Sequence, residues 1–275
     1  MPKKSLRSAT FASKTQKIES ILQNDGAGVV KLENLFMGRV KIYIDYANVR
    51  PWADKLKWHI DLKRLKQFLD SFDSVVETRL YMGTLVGDHD SEVRIDEARN
   101  LGFVVVTKPV KRMRQSIDTT SINQSSPELL SKFIRKALLG SLDIQTVKYL
   151  NGQLTALNTR GIYFIEDKKC NFDVEIGVDM LLDLERDSAD TFVLWSGDSD
   201  FADPIERIIA QSKRAVLFAT PRVVSRELNA QVQKGLFIFD IQRIKRFICW
   251  NRELSTPHFQ RLQIGKTQKG PHGGP

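Results

Sequence analysis

VKIYIDYANV, residues 40–49, is a run of β-branched and aromatic residues that ends abruptly in polar ones. It reads as a buried strand feeding a loop. Asp61 to Phe72 follows with Leu62, Leu65 and Leu69 at helical spacing, completing one βα unit. The alternation continues outward. TRLYMGTLV (78–86) and FVVVT (103–107) read as strands around a charged helix at 91–100. Beyond residue 170 come a helix at about 172–184, the strand TFVLWSG (191–197) and a helix at about 204–211. The strand AVLFAT (215–220), a helix around 225–234 and the strand LFIFDI (236–241) complete the series. Apolar strands alternating with amphipathic helices imply an α/β fold, a parallel sheet covered on both faces.

The periodicity weakens in three places. Between Lys108 and Tyr163 polar and turn-forming stretches flank a helical run at 129–139, expected to be an insertion of about 114–160. Residues 1–39 open on MPKKSLRSATFASKTQK, expected to be a basic N-terminal arm, either disordered and touching nucleic acid or a transit peptide. The Gly- and Pro-rich tail, 248–275, cannot bury enough apolar surface to offset its ordering entropy and is expected to be disordered. One main domain at 40–247 remains.

The 275 residues, 41% of them hydrophobic, suffice for one substantial core. A formal net charge of +9 favours a polyanionic partner, because basic side chains placed against phosphates release condensed counterions. The two cysteines, Cys170 and Cys249, lie far apart, which argues against a disulfide framework or a structural zinc site and fits a reducing, cytoplasmic setting. No apolar run is long enough to span a bilayer, so no membrane partner is expected.

Ligands of parallel sheets bind beyond the carboxyl ends of the strands, and the polar residues there carry the chemistry. Asp45 and Asn48 follow the strand at 40–44; Asp198 and Asp200 follow TFVLW, with Gly197 allowing a sharp exit. Each taken alone is as readily a helix N-cap. Several carboxylates converging on one edge would repel one another unless a cation neutralised them, and an all-oxygen set favours Mg²⁺ or Mn²⁺. KKCNFDVEIGVDMLLDL (168–184) adds Asp173 at a helix start, where an acidic residue also suits the helix dipole. Asp179 lies about 600 degrees further round that helix. With Glu175 and Asp183 it forms an i, i+4 acidic stripe, expected to be a solvated face. Asp203, in the order Asp-Pro-Ile-Glu, is expected to be an N-cap.

IDYANV, KKCNFDVEIGVD, LWSGDSDF and SRELNAQVQKGLFIFDI resemble, in order, the motifs of the NYN domain (LabA-like), a branch of the PIN-like nucleases. The resemblance runs over residues 40–244. It implies a three-layer α/β/α domain and cleavage of RNA by metal ions held at Asp45, Asp173, Asp198 and Asp200, with Asn48 beside them. Asp179 also matches an acidic position of the family. In such a site a metal-bound water attacks the phosphate in line and leaves a 5′-phosphate, with no need for any of the four histidines.

Lys108, Lys111, Arg112 and Arg114 follow the third strand and could hold phosphates of single-stranded RNA; the alternative is a solvated basic loop. Trp52 and Trp58 could stack on bases, though their apolar neighbours favour core packing. Two other readings stay open. GDSD also resembles the late acidic motif of haloacid-dehalogenase-like phosphatases, but Ala47 stands where their Asp-x-Asp pair needs its second carboxylate. A non-catalytic RNA-binding protein could retain the same fold. The oligomeric state is left open, a homo-oligomer included.

Overall fold

A computed structural model describes residues 6–49, 58–85, 87–220 and 224–250; the side chains of residues 47, 48, 167–169 and 250 are outside that description. In chain order the elements begin with α1 (Gln16–Leu22), α2 (Ala27–Leu35), β1 (Val40–Asp45), α3 (Tyr46–Val49) and β2 (His59–Ile60). Next come α4 (Leu62–Leu69), β3 (Val75–Thr84), α5 (His89–Asn100), β4 (Val104–Pro109) and β5 (Lys111–Ser116). After these follow α6 (Lys136–Leu139), α7 (Ile144–Asn158), β6 (Phe164–Lys169), α8 (Asp173–Glu185), β7 (Thr191–Trp195) and α9 (Ala202–Ala210). The series ends with β8 (Arg214–Ala219), α10 (Arg226–Ala230), β9 (Phe237–Asp240), α11 (Lys245–Ile248) and β10 (Cys249–Trp250).

Six strands form one parallel sheet in the order β4-β3-β1-β7-β8-β9. From β1 the chain steps outward one way to β3 and β4, and from β7 the other way to β8 and β9. Strand order therefore reverses between β1 and β7, and that reversal opens a crevice at the carboxyl ends of the two strands. The α/β class and three-layer build expected from the alternating pattern are what the structure has.

Alternate residues of each strand point to opposite faces. Lys41, Tyr43 and Asp45 are paired in register with Glu77, Arg79 and Tyr81, so these six share one face, on which α8 lies. Ile42, Ile44 and Trp195 point the other way, into an aromatic cluster. There Phe36 meets Phe72 at 5.0 Å and Phe218 at 6.1 Å, while Phe68 meets Phe247 at 5.0 Å.

The N-terminal segment is not the disordered arm expected for residues 1–39. From Ala9 to Phe36 it contributes buried side chains, Ile18, Val29, Leu32 and Phe36 among them, to the same core. Thr15 caps α1 by accepting from the Ile18 N–H, and Phe11 packs edge-on to Phe72. Helix α2 lies so close to the turn at Ile241–Ile244 that a Cβ on Gly28 would stand 2.6 Å from the Arg243 carbonyl oxygen. Alanine would otherwise favour the helix by up to about 1 kcal/mol. Gly28→Ala is instead expected to cost about 1–3 kcal/mol, because rigid backbone must move. Chemical denaturation of the variant checks this; a gain in stability would mean that the segment does not dock as described.

The stretch expected to be an insertion carries structure of its own. Strands β5 and β6 form a separate antiparallel ribbon, and α7, capped by Asp143 accepting from Thr146 N–H, packs beside it with Asn151 and Asn158 buried. Asn158 ties the ribbon's far end down, donating to the carbonyls of Ile117 and Ile162 and accepting from Thr119. Among the described residues no helix is long and apolar enough to cross a membrane.

Candidate active site

Asp45 is the last residue of β1 and is 4% exposed. On the neighbouring strand the chain leaves β7 through Ser196 and Gly197. The Ser196 hydroxyl donates to Asp45 Oδ2 at 3.4 Å and accepts from the Asp198 N–H at 3.4 Å, so Ser196 bridges the two strand ends. Asp198 then caps the short turn Ser199–Phe201, its carboxylate accepting from the Asp200 N–H at 3.3 Å and the Ser199 hydroxyl at 3.4 Å. The helix-cap reading is thus realised for Asp198, and the cap holds it at the crevice.

Asp173 enters from the third element, as the first residue of α8, with its N–H donating to Asn171 Oδ1 at 2.7 Å. Its carboxyl is held above the ordinary range. Burial is the largest cause, and the charges of Asp198 and Asp200 add to it, opposed by the Asn171 hydrogen bond. The fold therefore brings Asp173 close enough to Asp198 and Asp200 for their charges to act on it, with Asp45 tied to Asp198 through Ser196. Asn48 is placed in α3, but its side chain lies outside the described residues. Among the described residues no three His, Cys, Asp or Glu side chains form a ready coordination shell.

The acidic stripe of α8 is not the solvated face expected of it. Glu175 accepts from Lys108 at 2.7 and 2.8 Å. Asp179 accepts from the Tyr81 hydroxyl at 2.8 Å and lies 3.4 Å from Arg79. Asp183, 2% exposed, accepts from Lys41 at 2.6 Å, Tyr43 at 2.7 Å and Ser188 at 2.8 Å, with Arg79 at 3.1 Å. All three face the sheet because strands β1, β3 and β4 offer cations and hydroxyls at matching heights. Asp179 is thereby turned to Tyr81 and Arg79. Asp203 is not an N-cap either; it stands in the first turn of α9, whose N-cap is Phe201.

Of the four cations expected to hold RNA, Lys108 is already engaged by Glu175 and lies 4.9 Å over the Phe172 ring. Arg114 pairs with Glu166 at 2.9 Å on the ribbon. Lys111 and Arg112 are exposed, with no ion pair among the described residues. Trp58 is buried, with Lys245 4.9 Å over its ring; Trp52 lies outside the described residues. Sequence reading missed Ser196, which stands beside the GDSD motif and was legible from that position, and Tyr81, which only register reveals.

The domain is a parallel α/β/α fold with Asp45 and Asp198 at the ends of adjacent strands, where the strand order reverses. The NYN domain family model matches residues 123–239 of the chain. That match takes in most of the stretch expected to be an insertion and leaves β1 and Asp45 outside it. The chain is also similar to the low amplitude and bright protein LabA of Synechococcus elongatus, 32% identical over 75 residues. These are 27% of this chain and 39% of that protein, so the similarity spans well under half of LabA's length. A crystal structure of a protein of unknown function from Vibrio parahaemolyticus aligns with a TM-score of 0.46 and 18% identity, covering 78% of this chain and 96% of that one.

Proposed function

We propose that the chain is a ribonuclease that uses Mg²⁺ or Mn²⁺ held by Asp45, Asp173, Asp198 and Asp200 to hydrolyse RNA phosphodiester bonds. The observation that carries this reading is the raised carboxyl of Asp173, which burial and the charges of Asp198 and Asp200 hold above its ordinary range. Hard oxygen donors in mutual repulsion are the donor set that a hard divalent cation stabilises. When bound, such a cation supplies an activated water and charge stabilisation at the phosphate. The chain's own part is to hold the carboxylates: Ser196 ties Asp45 to Asp198, and Asn171 fixes the first turn that bears Asp173.

Linkage gives a test that does not need catalysis. A carboxyl whose folded pKa is raised contributes stability that is lost as pH rises through that value, so the ionised Asp173 carboxylate is destabilising at neutral pH. Mn²⁺ at about 100 times its Kd is expected to stabilise the fold by about 2.7 kcal/mol, and EDTA to reverse it. Labelled single-stranded RNA incubated with Mg²⁺, Mn²⁺ or EDTA then decides between cleavage and binding alone. The non-catalytic alternative draws on one observation, the lack of a ready shell of three ligands among the described residues. RNA bound but uncut in either metal would establish it.

The net charge of +9 and the exposed Lys111 and Arg112 support RNA as the partner. Lys111→Ala and Arg112→Ala are each expected to lower the slope of log affinity against log salt by up to about one unit. Lys108→Ala is expected to leave that slope alone, since Glu175 already neutralises Lys108. An unchanged slope in the first two variants would move the RNA path off the ribbon.

A further inference from the structure

The ribbon of β5 and β6 is rooted at the acid cluster. Lys111 is paired with Lys169, four residues before Asp173, and the pairing continues to Ser116 opposite Phe164. At about 3.4 Å per residue this spans roughly 17 Å. Directly opposed residues of an antiparallel pair share a face, so the register sorts the ribbon. One face carries Arg112, Arg114 opposite Glu166, and Ser116 opposite Phe164. Its other face carries Met113 and Ile165, 40% and 39% exposed, and leads to Ile117, which is buried at 1% exposure.

The first face is the outward one: Phe164 there is 57% exposed and Arg114 73% exposed. A single exposed aromatic residue is ordinary. Phe164 differs in its setting: the residue opposite is a serine too small to cover the ring, and the same face carries guanidinium groups toward the acid cluster. A protein-docking patch would be expected to be poor in charge at its centre. Cations interleaved with an uncovered ring are what single-stranded nucleic acid uses, the cations following the phosphates and the ring stacking on a base.

We infer that the outward face of the β5–β6 ribbon is a track for single-stranded RNA, in which Phe164 stacks on an unpaired base and Arg112 holds phosphate on the way to the acid cluster. The inference rests on the ribonuclease reading and adds to it the selection of unpaired substrate. A duplex keeps its base faces stacked internally and offers Phe164 nothing to stack on.

The test uses the full chain in EDTA, with a fluorescent single-stranded RNA 12-mer and the same strand annealed to its complement. Phe164→Ala is expected to weaken single-strand binding about tenfold or more and duplex binding by no more than about twofold. Phe164→Trp is expected to restore single-strand binding, which a merely structural ring would not require. Arg112→Ala is expected to weaken both ligands alike. Phe164→Ala binding single strands like wild type, or losing both ligands equally, would overturn the track while leaving the nuclease reading standing. A wild-type chain that bound neither ligand would remove both.

Discussion

Asp198→Asn is expected to lower RNA cleavage by about a hundredfold or more while leaving the fold and most RNA affinity in place. Asp198 caps the turn Ser199–Phe201 through the Asp200 N–H, and asparagine caps a helix start as well as aspartate. Asparagine removes one of the negative charges that act on Asp173 and, on the proposed ribonuclease reading, the cation affinity and charge stabilisation at the phosphate that go with it. Stability without metal should hold or rise, and the stabilisation by Mn²⁺ should shrink. Asp203→Asn, a few residues on in the first turn of α9, is the matched control and should cleave at the wild-type rate. Asp198→Asn cleaving at the wild-type rate at both saturating and limiting Mg²⁺ would reduce Asp198 to a cap and remove the main support for the metal site.

The parts of this fold that could be read directly were those where one stretch of chain carries its own signal. Strands such as TFVLW are buried on both faces and therefore continuously apolar, and their ends announce the functional edge. The N-terminal segment gave no such signal. Its apolar residues, Ile18, Val29, Leu32 and Phe36, are spread through short helices behind a basic lead, and they become core only when Phe68, Phe72 and Phe218 arrive from elsewhere.

The acidic stripe of α8 failed for a related reason. Spacing shows which residues share a helix face but not what that face meets. Glu175, Asp179 and Asp183 find Lys108, Arg79 and Lys41, which lie 67, 100 and 142 residues away in the chain. The same limit made Lys108 look available for phosphate. The acidic cluster itself was legible because strand ends and the sheet's reversal place Asp45 and Asp198 together whatever the rest of the chain does.

Asp183→Ala is expected to destabilise the fold by about 3–5 kcal/mol, because it leaves Lys41, Arg79 and the Tyr43 hydroxyl facing a carboxylate that is gone. Glu77, 2.5 Å from Arg79 and 3.8 Å from Lys41, retains part of the compensation, which favours the lower end of that range. A loss of about 3 kcal/mol corresponds to a fall in Tm of roughly 6–12 °C for a domain of this size. The urea midpoint should drop with the slope unchanged. The pH dependence supplies a separate signature. Burial works to raise the Asp183 carboxyl, but hydrogen bonds from Lys41, Tyr43 and Ser188 and the charge of Arg79 outweigh it and hold the group below its ordinary value. A depressed carboxyl contributes stability that is present above its unfolded pKa of about 4 and is lost as pH falls through the folded value. Subtracting the variant's stability from that of the wild type at each pH isolates this group from Asp190 and Asp187, which are also depressed. The difference should be constant near neutrality and shrink below about pH 4. A loss under about 1 kcal/mol, or a difference flat down to acid unfolding, would show that α8 is held to the sheet by its apolar face alone and that the ladder beneath it is dispensable.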